Sequence, residues 1–63
     1  MINHYVYVAA YAPKTDLSLI SFVSAEVLAT NEGQAYDLGF YLVTIPLDHI
    51  RLNDYVHQVG VTL

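Results

Sequence analysis

Hydrophobic positions recur with a period of two near the start of the chain. From His4 to Tyr11, one face of an extended segment would carry Tyr5, Tyr7, Ala9 and Tyr11. Aromatic and β-branched residues with this period predict a strand. Pro13 fixes the backbone and removes a donor, which indicates a turn. The same alternation from Leu19 to Ala29 predicts a second strand, and the short connection favours an antiparallel hairpin.

The period then changes to that of a helix. Asn31 is a favourable N-cap residue, and Gln34 follows it by three positions, as a capping box requires. An apolar stripe with the i, i+3, i+7 spacing of a helix that faces a sheet is formed by Ala35, Leu38 and Leu42. A helix is therefore predicted from Asn31 to Val43.

Two glycines leave alternatives to this helix. Gly33 and Gly39 each cost up to about 1 kcal/mol inside a helix, and residues 31–33 also fit a hairpin turn. The helix could then end at Gly39 and be followed by a strand from Phe40 to Ile45, or be absent.

The remainder of the chain predicts a third strand. Pro46 ends the helical element, residues 47–53 are expected to be irregular, and Asn53–Asp54 is expected to turn. Alternation resumes from Tyr55 to Leu63. The predicted fold is a single α+β domain over residues 1–63, with three antiparallel strands and one helix in the order ββαβ. The alternative is a small all-β barrel.

The composition of the chain adds that the predicted domain associates with another protein chain. Of the 63 residues, 56% are hydrophobic and only 13% are charged, against about a quarter charged in an average domain. A chain this short buries only about 60% of its unfolded surface, and it has no cysteine for a disulfide. One helix also covers only one face of a sheet, while apolar residues occupy both faces here. Self-association, most simply as a homodimer, is therefore expected.

Tyrosines are the candidate contact residues, because they are enriched at interfaces and six are too many for so small a core. The predicted interaction surface contains Tyr5, Tyr7, Tyr11, Tyr36 and Tyr41. The formal charge is −4, and solubility alone accounts for most acidic side chains. If an acidic patch contributes to binding, its expected members are Asp16, Glu26, Glu32 and Asp37.

Enzyme chemistry and membrane insertion are disfavoured. The serines lie in no nucleophile motif, and no phosphate loop is present. Asp54 and His57 would point to opposite faces of a strand, so they would not share a metal. We expect no enzymatic activity, no cofactor and no metal. The longest apolar stretch, from Leu38 to Leu47, has about half the length of a membrane span, and the chain shows no secretory signal. A soluble, cytoplasmic protein is expected.

Two resemblances refine the functional expectation. The stretch from Val27 to Ala35, a strand that leads into a capped helix, resembles the centre of small phage and mobile-element proteins, including host-polymerase inhibitors and anti-CRISPR proteins. That resemblance implies a helix on a small sheet and a role in blocking a host protein. Residues 32–34 followed by residues 39–43 are similar to a turn and strand of the gene V type of phage single-stranded-DNA-binding protein.

The expected function is therefore a non-enzymatic interaction module that self-associates and occludes a host protein, as a phage-type inhibitor does. Single-stranded-DNA binding in a small barrel is the first alternative. It is disfavoured because Lys14 and Arg51 are the only basic residues, whereas nucleic-acid binding requires a basic footprint. A structural subunit of a homo-oligomer is the second alternative.

Overall fold

The computed structural model describes residues 1–62 and shows one helix packed on a three-stranded antiparallel sheet. The strands are β1 (Ile2–Pro13), β2 (Ser21–Ala29) and β3 (His49–Thr62), and the helix is α1 (Glu32–Leu42). The strand order is β2-β1-β3, so β1 is central and the sheet is open. The predicted α+β fold in ββαβ order is confirmed, and the barrel alternative is wrong. Leu63, the last residue of the predicted third strand, lies outside the described residues.

Helix α1 begins as its sequence predicts. The Asn31 side chain accepts a hydrogen bond of 2.8 Å from the Gln34 amide, and the Gln34 side chain accepts one of 2.8 Å from the Thr30 amide. The first bond satisfies an amide of the first helical turn that has no partner within the helix. The second differs from the predicted capping box, because Gln34 accepts from Thr30, one residue before the N-cap, and not from Asn31. Val43 is the C-cap, so the alternative with a strand from Phe40 is wrong.

The face by which α1 meets the sheet differs from the predicted stripe. Ala35 and Gly39 are buried, whereas Leu38 and Leu42 are exposed. The reason is the closeness of the packing: a Cβ atom built at Gly39 would overlap the Cβ and Cγ atoms of Tyr7. Small residues thus face the sheet, and the leucines are displaced toward solvent.

Strand β3 is longer than predicted. It begins at His49, so the irregular segment predicted over residues 47–53 is confirmed only at residues 47 and 48, and the turn predicted at Asn53–Asp54 is wrong. The pairing of β3 with β1 shifts register twice, between His4 and Tyr5 and between Ala10 and Tyr11. At each shift β3 has one extra residue without a partner in β1: Val59 at the first and Leu52 at the second. The predicted alternation of side chains therefore breaks at Val59, because a bulge moves the following residues to the other face.

The core lies between α1 and one face of the sheet. Its buried members come from all parts of that layer: Tyr5, Tyr7, Ala9, Val27, Ala29, Ala35 and Val43. Val56 of β3 packs against them from the side. Tyr7 is the largest side chain that is fully buried. The molecule is elongated, measuring 44 × 16 × 14 Å, and among the described residues no helix combines the length and apolar character needed to cross a bilayer.

Candidate interaction surfaces

The sheet has one face that α1 does not cover, here called the open face. Cross-strand partners share a face, so the register identifies its members: His4, Val6, Val8, Ala10, Phe22, Ser24, Glu26, Leu28, Asn53, Tyr55 and His57. The central strand supplies a strip of half-buried apolar residues, whereas central strands of covered sheets are buried. The edge strands add side chains that are more exposed, with Phe22 at 70% and Leu28 and Tyr55 at 56%.

Polar residues of the open face lie around that strip. His4 Nε2 and Glu26 Oε2 are 3.0 Å apart across β1 and β2, and His57 is paired with Val6 in the register. An apolar centre with polar neighbours is the usual anatomy of a protein interface. The open face therefore combines a half-buried apolar centre with polar side chains at its border.

A polar cluster lies at the border between α1 and the sheet. The Tyr7 hydroxyl donates a hydrogen bond of 2.6 Å to Asp54 Oδ2, and the Tyr36 hydroxyl donates to Asp54 Oδ1. Arg51 donates to the Tyr7 oxygen, and its guanidinium carbon is 4.2 Å from the ring centre of Phe40. The Tyr7 and Tyr36 rings meet edge to face with centres 5.8 Å apart. These contacts hold α1 on β1 and β3.

Burial and hydrogen bonding shift the pKa values in this cluster. Burial, aided by the hydrogen bond to Asp54, raises the pKa of Tyr7 to about 12. The hydrogen bond to Asp54 likewise raises the pKa of Tyr36. Burial would raise the pKa of Asp54, but the bonds donated by Tyr36 and Tyr7 and the charge of Arg51 outweigh it and hold that pKa below its usual value. The stable state is therefore a carboxylate with two neutral phenols, which is suited to holding the helix and not to proton transfer near neutral pH.

A depression of about 560 Å³ lies on the outer side of α1 and is lined by Tyr36, Asp37, Phe40 and Tyr41. Tyr36 and Phe40 are four residues apart, as are Asp37 and Tyr41, so two neighbouring rows of the helix surface border it. Tyr41 is 88% exposed and Phe40 is 51% exposed. The depression thus presents aromatic rings and one carboxylate to solvent.

The predicted tyrosine surface is divided by the fold. Tyr5 and Tyr7 are buried beneath α1, so these two side chains belong to the core and are not exposed to a partner, contrary to their predicted place in a contact surface. Tyr11 is half-buried, with its ring centre 5.7 Å from that of His49. Tyr36 and Tyr41 lie together at the helix depression, and their role in binding stays a prediction.

The four acids of the predicted patch are not brought together. Glu26 lies on the open face, whereas Glu32 and Asp37 belong to α1 on the opposite side of the sheet. Asp16 lies in the connection between β1 and β2, where hydrogen bonds from the Ser18 hydroxyl and amide lower its pKa. Asp54 faces Ala9 and His57 faces Val6, so these two side chains diverge, as their spacing predicts.

Sequence reasoning missed the contribution of β3 to both surfaces. Tyr55 on the open face and the Arg51–Asp54 pair under α1 were assigned to no site. No local signal identified the pair, because residues three apart on a regular strand point to opposite faces. The extra residue Leu52 in β3 brings Arg51 and Asp54 to the same face, opposite Tyr11 and Ala9.

Comparison with family models, with curated proteins and with solved structures finds no significant match for this chain.

Proposed function

We propose that this chain is a non-enzymatic protein-interaction module that pairs with a second copy of itself through the open face. The observation that carries the proposal is the half-buried strip of Val6, Val8 and Ala10, which lies between the exposed rings of Phe22 and Tyr55. Two such faces packed together would complete a sandwich of sheets, with a helix on each outer side.

Area and charge favour a second copy as the occupant. The two longest extents of the molecule, 44 and 16 Å, set an upper bound of about 700 Å² on this face, within the range of about 600–1,000 Å² per partner of a standard interface. Of the six acidic residues, only Glu26 lies on the open face, and His4 is beside it. Two copies can therefore approach through this face with little repulsion, although each carries a formal charge of −4.

The wider proposal is that the paired module acts in the cytoplasm by occluding another protein with its helical side, as phage-type inhibitors do. Support for this second contact comes from the exposed aromatic residues at the helix depression. Pairing through the open face would leave that depression accessible.

Light scattering coupled to size exclusion, across a concentration series, tests the pairing. The native chain should have the mass of two copies, and Val8→Glu should dissociate it, with the dissociation constant raised about 30-fold or more because a charge would be buried. Leu42→Glu is the matched control, since it adds the same charge to an exposed position of α1. It should leave the mass unchanged.

Phe22→Ser provides a milder second variant, because Phe22 lies on an edge strand and its loss does not disturb the core. Circular dichroism confirms that each variant is folded. A native chain that stays monomeric at every concentration would overturn self-association. A pair that survives both open-face variants would overturn the assignment of this face.

A further inference from the structure

We propose that the helix depression binds the guanidinium group of an arginine on a partner protein. This inference rests on the proposed function, since it names the chemistry of the partner that the helical side would meet. It assigns a role to Asp37 and Tyr41, whose side chains are exposed at the depression, whereas the ring of Phe40 already lies against Arg51.

The lining of the depression matches an arginine side chain in its chemistry. Aromatic faces attract cations, and arginine stacks on them more often than lysine does. Asp37 adds a carboxylate in the row beside the rings, which can accept two hydrogen bonds from the planar guanidinium. A neutral apolar side chain would gain the rings but leave this carboxylate without a partner.

The molecule already shows the same interaction internally. The guanidinium of Arg51 lies 4.2 Å from the centre of the Phe40 ring and 4.0 Å from the carboxylate of Asp54. The depression repeats that combination with Tyr41 and Asp37 as the exposed counterparts. The formal charge of −4 further favours the approach of a basic partner.

The test is a titration of ¹⁵N-labelled protein, followed by NMR, with the blocked tripeptide acetyl-Gly-Arg-Gly-amide. A second titration uses the tripeptide in which citrulline, a neutral analogue of nearly the same shape, replaces arginine. The arginine peptide should shift the backbone amide signals of Asp37 and Tyr41 and bind about fivefold or more tightly than the citrulline peptide. A lysine peptide should bind more weakly than the arginine peptide.

Two variants of equal net charge separate the effect of the Asp37 carboxylate at the depression from the effect of the overall charge on peptide binding. Asp37→Asn should remove most of the preference for arginine over citrulline and leave only the contribution of the aromatic ring, whereas Glu32→Gln, in the first turn of the same helix, should preserve most of that preference. Equal binding of the arginine and citrulline peptides would overturn the inference. So would equal arginine binding by the Asp37→Asn and Glu32→Gln variants, or lysine binding as tight as arginine.

The solution mass of each variant keeps the two proposals distinguishable. If arginine binding fails while the pair stays intact, only the inference is wrong. If the native chain is monomeric but binds arginine selectively, the self-association proposal is the one that is overturned.

Discussion

At the scale of single residues, Tyr7 connects the apolar core to the polar cluster. Its ring is fully buried against Gly39, while its hydroxyl donates to Asp54 and accepts from Arg51. Because burial and the bond to Asp54 raise its pKa from 10.0 to about 12, the folded state prefers the protonated phenol. Folding is therefore linked to the proton on Tyr7.

We expect this linkage to appear at alkaline pH. A group whose pKa is raised on folding stabilises fully below its unfolded value, so the contribution of Tyr7 should be complete below pH 10.0 and decline as pH rises toward about 12. Tyr7→Phe should lower the free energy of unfolding near neutral pH by about 1–3 kcal/mol, because Asp54 loses a donor. The variant should also show a shallower decline between those pH values, measured by urea unfolding.

Tyr41→Phe is the control for this experiment, since it removes an exposed phenol without touching the cluster. It should retain the native alkaline slope. If Tyr7→Phe retains the native slope as well, the proton on Tyr7 is not coupled to folding.

The burial of Tyr7 also shows that alternation along a strand predicts which residues share a face, but not which face is buried. The period of two correctly placed Tyr5 and Tyr7 on one face of β1. It could not show which face α1 would cover, because that depends on the path of the chain after β2. The residues named as a contact surface therefore include part of the core.

At the scale of elements, the approach of α1 to the sheet depends on the absence of a side chain at Gly39. The prediction of α1 succeeded because its cap is local: Asn31 and Gln34 bond within one turn. Its packing face was missed because Gly39 was weighed only as a cost to the helix. The contact with Tyr7 is long-range in sequence and outweighs helix propensity.

A pair of glycine-to-alanine changes tests this packing. Gly39→Ala should destabilise the fold by about 1–3 kcal/mol, because the new methyl group overlaps the Tyr7 side chain. Gly33→Ala should instead stabilise by up to about 1 kcal/mol, since its nearest neighbour, Asn31 Oδ1, is at an ordinary 3.4 Å. Midpoints of denaturant unfolding give both values. A Gly39→Ala variant as stable as the native chain would contradict the close packing.

Strand β3 is a second element in which long-range contacts override a local sequence preference. Asn53 and Asp54 are typical turn residues, yet both are paired with β1. The hydrogen-bonding requirement of the central strand and the bonds from Tyr7 and Tyr36 to Asp54 override the local preference. None of these partners lies near Asp54 in sequence, so the strand start at His49 was not predictable from local signals.

At the scale of the whole molecule, the open face is the part of the sheet that the fold itself leaves uncovered. A thin, elongated layer with one apolar face uncovered has a small core. Association would then supply part of the free energy of folding. Composition alone predicted that some apolar surface would stay uncovered, and the register of the sheet identifies which residues form it.

If the proposed pairing holds, the thermal midpoint should rise with protein concentration, by about 6 °C for each tenfold increase in a pair of domains this small. Scanning calorimetry between micromolar and millimolar concentrations measures the change. Val8→Glu should lower the midpoint and remove its dependence on concentration. A native midpoint that stays constant over this range would contradict coupled folding and association.

The pairing of Ile2 with Thr62 has a consequence for how the chain folds as it is synthesised. The hairpin of β1 and β2 is available early, but a two-stranded hairpin is marginal by itself. The second edge of β1 stays unpaired until β3 has emerged, and bringing the ends of a long loop together is slow. During that interval the nascent chain exposes a free strand edge rich in valine and tyrosine, which is when it is most vulnerable to aggregation.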